Sequence, residues 1–421
     1  MAKILAQTIL APGHLNPFLP ILIELQSRGH EIVIAVPAPA TATLPSSVAG
    51  IRIQAAHPPT STAPLLVVCD PPTTAPSDTQ RTFAVHGEPI AGALASTIAA
   101  ERPDCIIADP MLWGGLIVAE ASGLPWASVS HNPYTLRASG QDARGPGLRP
   151  PKGWLGRFLH RAVAEHLLAR SDRDLLPTMN AVRSRRGLHP LPHVDDAYRQ
   201  APLTIAATAE PFEYPRDDWP PAVRFVGPLG WEPPMPAPDW LDDLDERPLV
   251  LVVGSSIPEH GAARTWVRVA LESLALEPIQ VIATLPADDV PERLPANVRV
   301  TRYLPHGLLL PRAACVVCHG GPGITQKALS AGVPVVAVPF AHDRFEVARR
   351  VEVAGAGVRL AGKDLSPGRL RAAVRRAMRC RPGAQRIARA FREAGGAPAA
   401  ASAVEELLRD ARDVQRGAAL P

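Results

Sequence analysis

Between Cys315 and Glu346 the chain reads CVVCHGGPGITQKALSAGVPVVAVPFAHDRFE, and this segment limits the possible folds more than any other. An apolar strand expected over 314–318 stops at His319. A glycine-rich turn, His319-Gly320-Gly321-Pro322-Gly323, then opens a helix carrying Ile324 and Thr325. A second strand over 333–338 leads to a polar turn at His342-Asp343-Arg344. Strand, turn and helix N-terminus bring several backbone N–H groups to one spot, and the helix dipole adds partial positive charge there. Such a spot suits a diphosphate. The segment holds neither a G-x-G-x-x-G fingerprint nor a Walker A lysine, which argues against a standard dinucleotide or P-loop site.

The chain has 421 residues, enough for two or three domains with their own cores. It divides into two similar halves. In the first, an apolar strand over 4–10 meets the turn Pro12-Gly13-His14. A helix over 17–28 and a strand over 31–36 follow. Further strands are expected at 51–55, 105–108, 127–129 and 203–206, with helices at 89–100, 114–121, 154–169 and 172–186. Strands alternating with helices imply an open parallel sheet covered on both faces. A proline-rich stretch over 214–248 breaks this rhythm and reads as a stiff connector. The second half restarts with a buried strand over 249–253, the turn Gly254-Ser255-Ser256, a helix over 262–274, and strands over 280–283 and 298–303. The expected layout is an α/β chain with two doubly wound domains. Residues 1–215 form the first, 216–248 the connector, 249–398 the second, and 399–421 a helical tail that can pack back on the first. Long loops at 58–77 and 139–152 fall in the first half.

Nearly half of the residues are apolar (46%) and the formal net charge is only +4, which disfavours disorder and a nucleic-acid footprint. The basic run over 369–392 has helical spacing and reads as a solvated helix face. Met1-Ala2-Lys3 runs directly into a strand too short for a signal peptide, and no run nears the roughly 18 apolar residues of a membrane span. A cytoplasmic chain with no membrane partner is expected. Cys315 and Cys318 sit three apart in a buried strand, so they point to opposite faces and read as core thiols. No D-x-D pair ends a sheet strand. Asp242-Asp243 and Asp288-Asp289 read as solvated turns, so no metal is expected.

Two residues follow strands at a carboxyl edge, where parallel sheets place ligands. His14, in Ala11-Pro12-Gly13-His14, titrates near neutral pH and can accept a proton, or can simply cap a turn. Asp109, ending Cys105-Ile106-Ile107-Ala108-Asp109, can orient a histidine or cap the helix after it. His131, in Ser130-His131-Asn132-Pro133, also follows a strand.

Taken with the His319 segment, these elements resemble the UDP-glycosyltransferase-like superfamily, glycosyltransferase family 1. The chain is most similar to actinobacterial natural-product members of that family. The resemblance implies a GT-B fold and an inverting, metal-independent transfer of a sugar from a nucleotide diphosphate to a hydrophobic aglycone. It makes His14 the general base and Asp109 its partner, and implies no bound cofactor. Tyr303-Leu304-Pro305-His306 matches the element that stacks on the pyrimidine, with His306 near the nucleoside. His319, Gly320, Gly321 and Gly323 match the diphosphate cradle, and Ser255 and Ser256 a second phosphate loop. Ile324 stands where relatives carry a hydroxyl, leaving that role to Thr325 or a backbone N–H. Asp343 and Arg344 replace an Asp-Gln pair on the hexose, and Lys327 replaces a glutamate that clamps the ribose hydroxyls. Without that carboxylate a dTDP-sugar, deoxygenated in its hexose, is expected over a UDP-sugar. Trp113, His131 and Tyr134 are expected at the acceptor site, within an apolar set that includes Ile53, Leu65, Leu66, Trp126, Leu148 and Trp154. A monomer or homodimer is expected. The rivals are another GT-B enzyme, such as an epimerase, and a non-catalytic auxiliary partner, for which a degraded donor site would be the mark.

Overall fold

The computed structural model describes residues 1–36, 48, 50–55, 76–130, 147–255, 262–275, 277–285, 293–340 and 343–418. Short apolar runs make strands buried on both sides, the usual signature of parallel sheets. The first sheet contains β1 (Lys3–Gln7), β2 (Glu31–Val36), β3 (Arg52–Ala55), β4 (Cys105–Ala108), β5 (Trp126–Ser130), β6 (Leu203–Ala206) and β7 (Val223–Phe225). Its strand order is β3-β2-β1-β4-β5-β6-β7, with every pair parallel. The helices α1 (Pro12–Ser27), α2 (Pro76–Glu101), α3 (Trp113–Ala121) and α4 (Gly153–Ser184) join these strands. Alternate side chains of β1 enter different cores: Ile4 and Ala6 pack with α1, Leu5 with α2, α3 and α4.

The second sheet repeats the plan with β8 (Leu249–Val253), β9 (Gln280–Thr284), β10 (Val298–Thr301), β11 (Ala313–Cys318), β12 (Val335–Ala337) and β13 (Gly357–Arg359). The order is β10-β9-β8-β11-β12-β13, again all parallel. Helices α5 (Ala262–Leu274), α6 (Pro322–Ser330), α7 (Arg344–Val353), α8 (Pro367–Met378) and α9 (Arg381–Glu393) cover it. In β11, Cys318 lies in one core and Cys315 in the other, as their spacing requires. Burial pushes the Cys315 and Cys318 thiols well up, so both stay protonated. The basic run forms α8 and α9, whose buried faces carry Leu370, Val374, Ile387 and Phe391.

Several expectations are corrected. The turn at Pro12-Gly13-His14 is already helix: α1 starts at Pro12, where a missing N–H costs nothing because the first helical N–H groups have no partner anyway. The two helices expected over 154–186 are one helix, α4, since no Gly or Pro stands between Ala169 and Asp172 to end it. The proline-rich stretch supplies an edge strand, β7, which tolerates flanking prolines because only one side must pair. The last helix, α10 (Gly396–Ala418), crosses back to the first sheet's body. Ala400, Ala401, Val404 and Leu408 enter the core beneath α1, and Glu405 pairs with Arg28 (2.8 Å) and His30 (3.1 Å). Among the described residues no helix is long and apolar enough to cross a membrane.

A buried charge cluster pins the two bodies together. Arg350 of α7 is 2% exposed and grips Glu213, beyond β6, in a two-pronged fork (2.7 and 3.1 Å). Its other nitrogen holds Glu346 at 2.9 Å, and its guanidinium lies over the Tyr214 ring at 4.4 Å. Glu346 in turn accepts the Gly147 N–H. Removing one partner of such a group strands the others, which costs about 3–5 kcal/mol. Arg350→Ala is therefore expected to lose stability of that order in chemical denaturation. An unchanged midpoint would show that the cluster does not hold the bodies.

Candidate active site

In an open parallel sheet the carboxyl edge gapes where the strand order reverses, because loops on either side leave in opposite directions. In the first sheet that point lies between β1 and β4. In the second it lies between β8 and β11. The loops after these four strands carry His14, Asp109, Ser255 and His319 respectively. Each sheet thus places its polar candidates at its own crevice.

His14 sits in the first turn of α1 and its Nδ1 is 2.9 Å from Asp109 Oδ2. Asp109 has no exposed surface. Its Oδ2 also accepts the Thr8 hydroxyl (2.9 Å), and its Oδ1 accepts the Met111 N–H (2.9 Å). An acceptor-only carboxylate at Nδ1 selects the tautomer with a proton there, which leaves Nε2 unprotonated and able to accept one. Burial alone lowers the His14 pKa. The charge and hydrogen bond of Asp109, with the charge of Asp343 adding to them, outweigh burial and hold it above the ordinary 6.5. Asp343 is the N-cap residue of α7 in the other body, so a charge from the second body adds to the rise at His14.

The anion cradle is built as the glycines require. Gly320 has φ +84°, and a Cβ there would lie 3.2 Å from the Arg344 carbonyl. A Cβ on Gly321 would lie 2.4 Å from His319 Nε2, so only glycine leaves room for that ring. α6 opens with Gly321 as its cap and Pro322 first in line, and Gly321 makes no side-chain cap hydrogen bond. Burial and the Arg344 charge push His319 down to about 3, with the Val253 backbone acting the other way. His319 is therefore a neutral ring that can donate a hydrogen bond but brings no charge. The cation at the cradle is Arg344, whose Nη2 lies 3.4 Å from Ser255 Oγ.

Other expected residues fall differently. Thr325 is not brought to the cradle: it is fully buried, with its hydroxyl 3.7 Å from Cys318 Sγ. Ile324 packs against the core beside it. Leu304 is core, while Tyr303 is 46% exposed and offers a ring face beside the 3-10 turn at His306–Leu308. His306 bonds Thr284 Oγ1 at 3.1 Å, and burial with the Lys327 charge lowers it to about 4 against the pull of Glu232. Trp113 is 3% exposed and Trp126 is 4%, so both are core rather than pocket wall, and Trp154 is 74% exposed. Ile53 also packs at the core, and Leu148 is half-buried. Leu65, Leu66, His131, Tyr134 and Ser256 lie outside the described residues.

Three participants escaped the sequence reading: Thr8, the reach of Asp343 to His14, and Glu232. Glu232 comes from the connector and accepts the His306 N–H (2.8 Å), the Gly307 N–H (3.0 Å) and the Lys327 ammonium (2.7 Å).

Residues 268–409 match the family described as Erythromycin biosynthesis protein CIII-like, C-terminal domain. The chain is 33% identical over 395 residues to 4'-demethylrebeccamycin synthase of Lentzea aerocolonigenes, covering 89% of this chain and 91% of that one. It belongs to the glycosyltransferases of actinobacterial natural-product pathways. This glycosyltransferase is also 28% identical to L-demethylnoviosyl transferase of Streptomyces niveus, over 85% of each chain. Its fold is GT-B, shared with the solved glycosyltransferase VinC in complex with dTDP (TM-score 0.70, 22% identity, 98% and 100% of the two chains).

The electrostatics give a direct expectation. Followed by NMR, the His14 ring of the glycosyltransferase titrates above 6.5, and Asp109→Asn brings that midpoint down. A midpoint unmoved by the substitution would mean that Asp109 does not govern the histidine.

Proposed function

We propose that the glycosyltransferase carries out a single displacement with inversion, moving a sugar from a dTDP-linked donor to a hydroxyl of a hydrophobic aglycone. The observation that carries this reading is the His14–Asp109 pair at the crevice of one sheet and the α6 N-terminus at the crevice of the other, with the charge of Asp343, at the start of α7, acting on His14. The acceptor hydroxyl gives its proton to His14 Nε2 while its oxygen bonds to the anomeric carbon. The bond from that carbon to the diphosphate breaks, and the electron pair leaves with the phosphate oxygen. Asp109 stabilises the imidazolium that forms.

Charge developing on the diphosphate faces the α6 N-terminus and the Arg344 guanidinium, which are already oriented for it. No bound cofactor or metal is proposed. Arg344 beside Ser255 acts at the phosphates, so a deoxygenated hexose loses nothing by the absence of a glutamine there. Tyr303 supplies the stacking face for the base. Acceptance of a deoxyribose is supported by Lys327, which stands where plant-type relatives carry a carboxylate, and the thymidine choice by dTDP in the VinC complex. The reaction is placed in the cytoplasm.

Two measurements test the reading. His14→Ala is expected to cut turnover by about 10²- to 10⁴-fold while leaving dTDP affinity near that of the parent. Turnover that survives removes His14 as the base. In competition binding dTDP displaces UDP; a clear preference for UDP overturns the choice of base.

A further inference from the structure

The connector contributes one carboxylate to the donor face, and one of its oxygens already takes two donors. Glu232 Oε1 accepts from both Lys327 Nζ and the His306 N–H, while Oε2 accepts from the Gly307 N–H. The connector passes close under the lysine: a Cβ on Gly230 would lie 3.6 Å from Lys327 Cε. Lys327 is one turn along α6 from Gly323, on the same face as the cradle. The 3-10 turn that Glu232 holds begins three residues after Tyr303. Resting on the donor reading above, the nucleoside sugar lies between the stacking ring and the cradle, where Glu232, Lys327 and His306 meet. All three remain partly open to solvent, at 19%, 24% and 16%.

We propose that Lys327 is a selectivity lock: by occupying Glu232 Oε1 together with the His306 N–H it denies the donor nucleoside that oxygen, so the site does not demand a 2′-hydroxyl. Lys327 does this through a hydrogen bond to the same oxygen that a ribose hydroxyl would seek. Glu232 is ionised throughout the neutral range: burial alone would raise it, but Lys327 and the Gly307 and His306 N–H groups bring it below the ordinary carboxylate value. Removing the lysine leaves Oε1 with one donor and a vacant acceptor site facing the nucleoside. A 2′-hydroxyl can then fill that site, whereas a deoxyribose cannot.

The cleanest probes are UDP and 2′-deoxy-UDP, which differ only in that hydroxyl. In the full-length protein the parent is expected to bind both with similar affinity. Lys327→Ala is expected to shift the ratio toward UDP by about tenfold, the worth of one hydrogen bond to a charged group. In the double variant Lys327→Ala/Glu232→Leu the shift disappears, because no side-chain acceptor remains to be freed. An unchanged ratio in Lys327→Ala, or a shift that survives in the double variant, overturns the lock. A parent that binds neither nucleotide overturns the donor reading itself. A general weakening from lost phosphate attraction moves both affinities together and leaves the ratio untouched.

Discussion

A carboxylate with no exposed surface persists only if donors surround it, and those around Asp109 include the Thr8 hydroxyl, the Met111 N–H and the His14 ring. The rest of the site depends on that arrangement. Thr8 follows β1 and Asp109 follows β4, so the hydrogen bond between them crosses the reversal point of the first sheet. His14 is then fixed from below by Asp109 and from behind by the first turn of α1. The placement of the His14 ring is thus decided by sheet topology.

The second sheet supplies the complementary chemistry by the same device. Its reversal point collects Ser255 and His319, and α6 and α7 start beside them. Two links make the halves one machine. Arg350 with Glu213 and Glu346 is a dry, fully paired cluster suited to holding geometry. The Glu232 cluster is partly open to solvent and ties the connector to α6 and to the 3-10 turn at His306–Leu308. α10 adds a third tie by returning to the core beneath α1.

Much of this was legible in the sequence because the signals are local. Strands at 31–36, 105–108 and 249–253 and the helix at 262–274 coincide with the observed elements, since continuous apolar runs and helical spacing leave little choice. The positions of His14, Asp109 and the cradle glycines follow from where those strands end. What escaped depends on contacts between distant segments. Trp113 reads as a pocket residue by type, but its ring lies where a Cβ on Gly87 would clash at 1.9 Å, a packing fact set by α2 meeting α3. Thr325 reads as a phosphate ligand by position, yet the register of α6 turns it toward Cys318. β7 is three residues between prolines and has no pattern of its own. Glu232 is a lone acid in the connector, and nothing nearby in the chain marks Lys327, 95 positions later, as its partner.

The central claim is that one base, acting from the face opposite the diphosphate, displaces the donor in a single step. The anomeric configuration of the product tests it most directly. With a nucleotide sugar of known anomeric configuration and an aglycone hydroxyl, the one-bond and vicinal couplings of the transferred sugar's anomeric proton report the outcome by NMR. The geometry of His14 and the α6 cradle predicts inversion. Retention would require a second displacement or front-side attack, and would contradict the account.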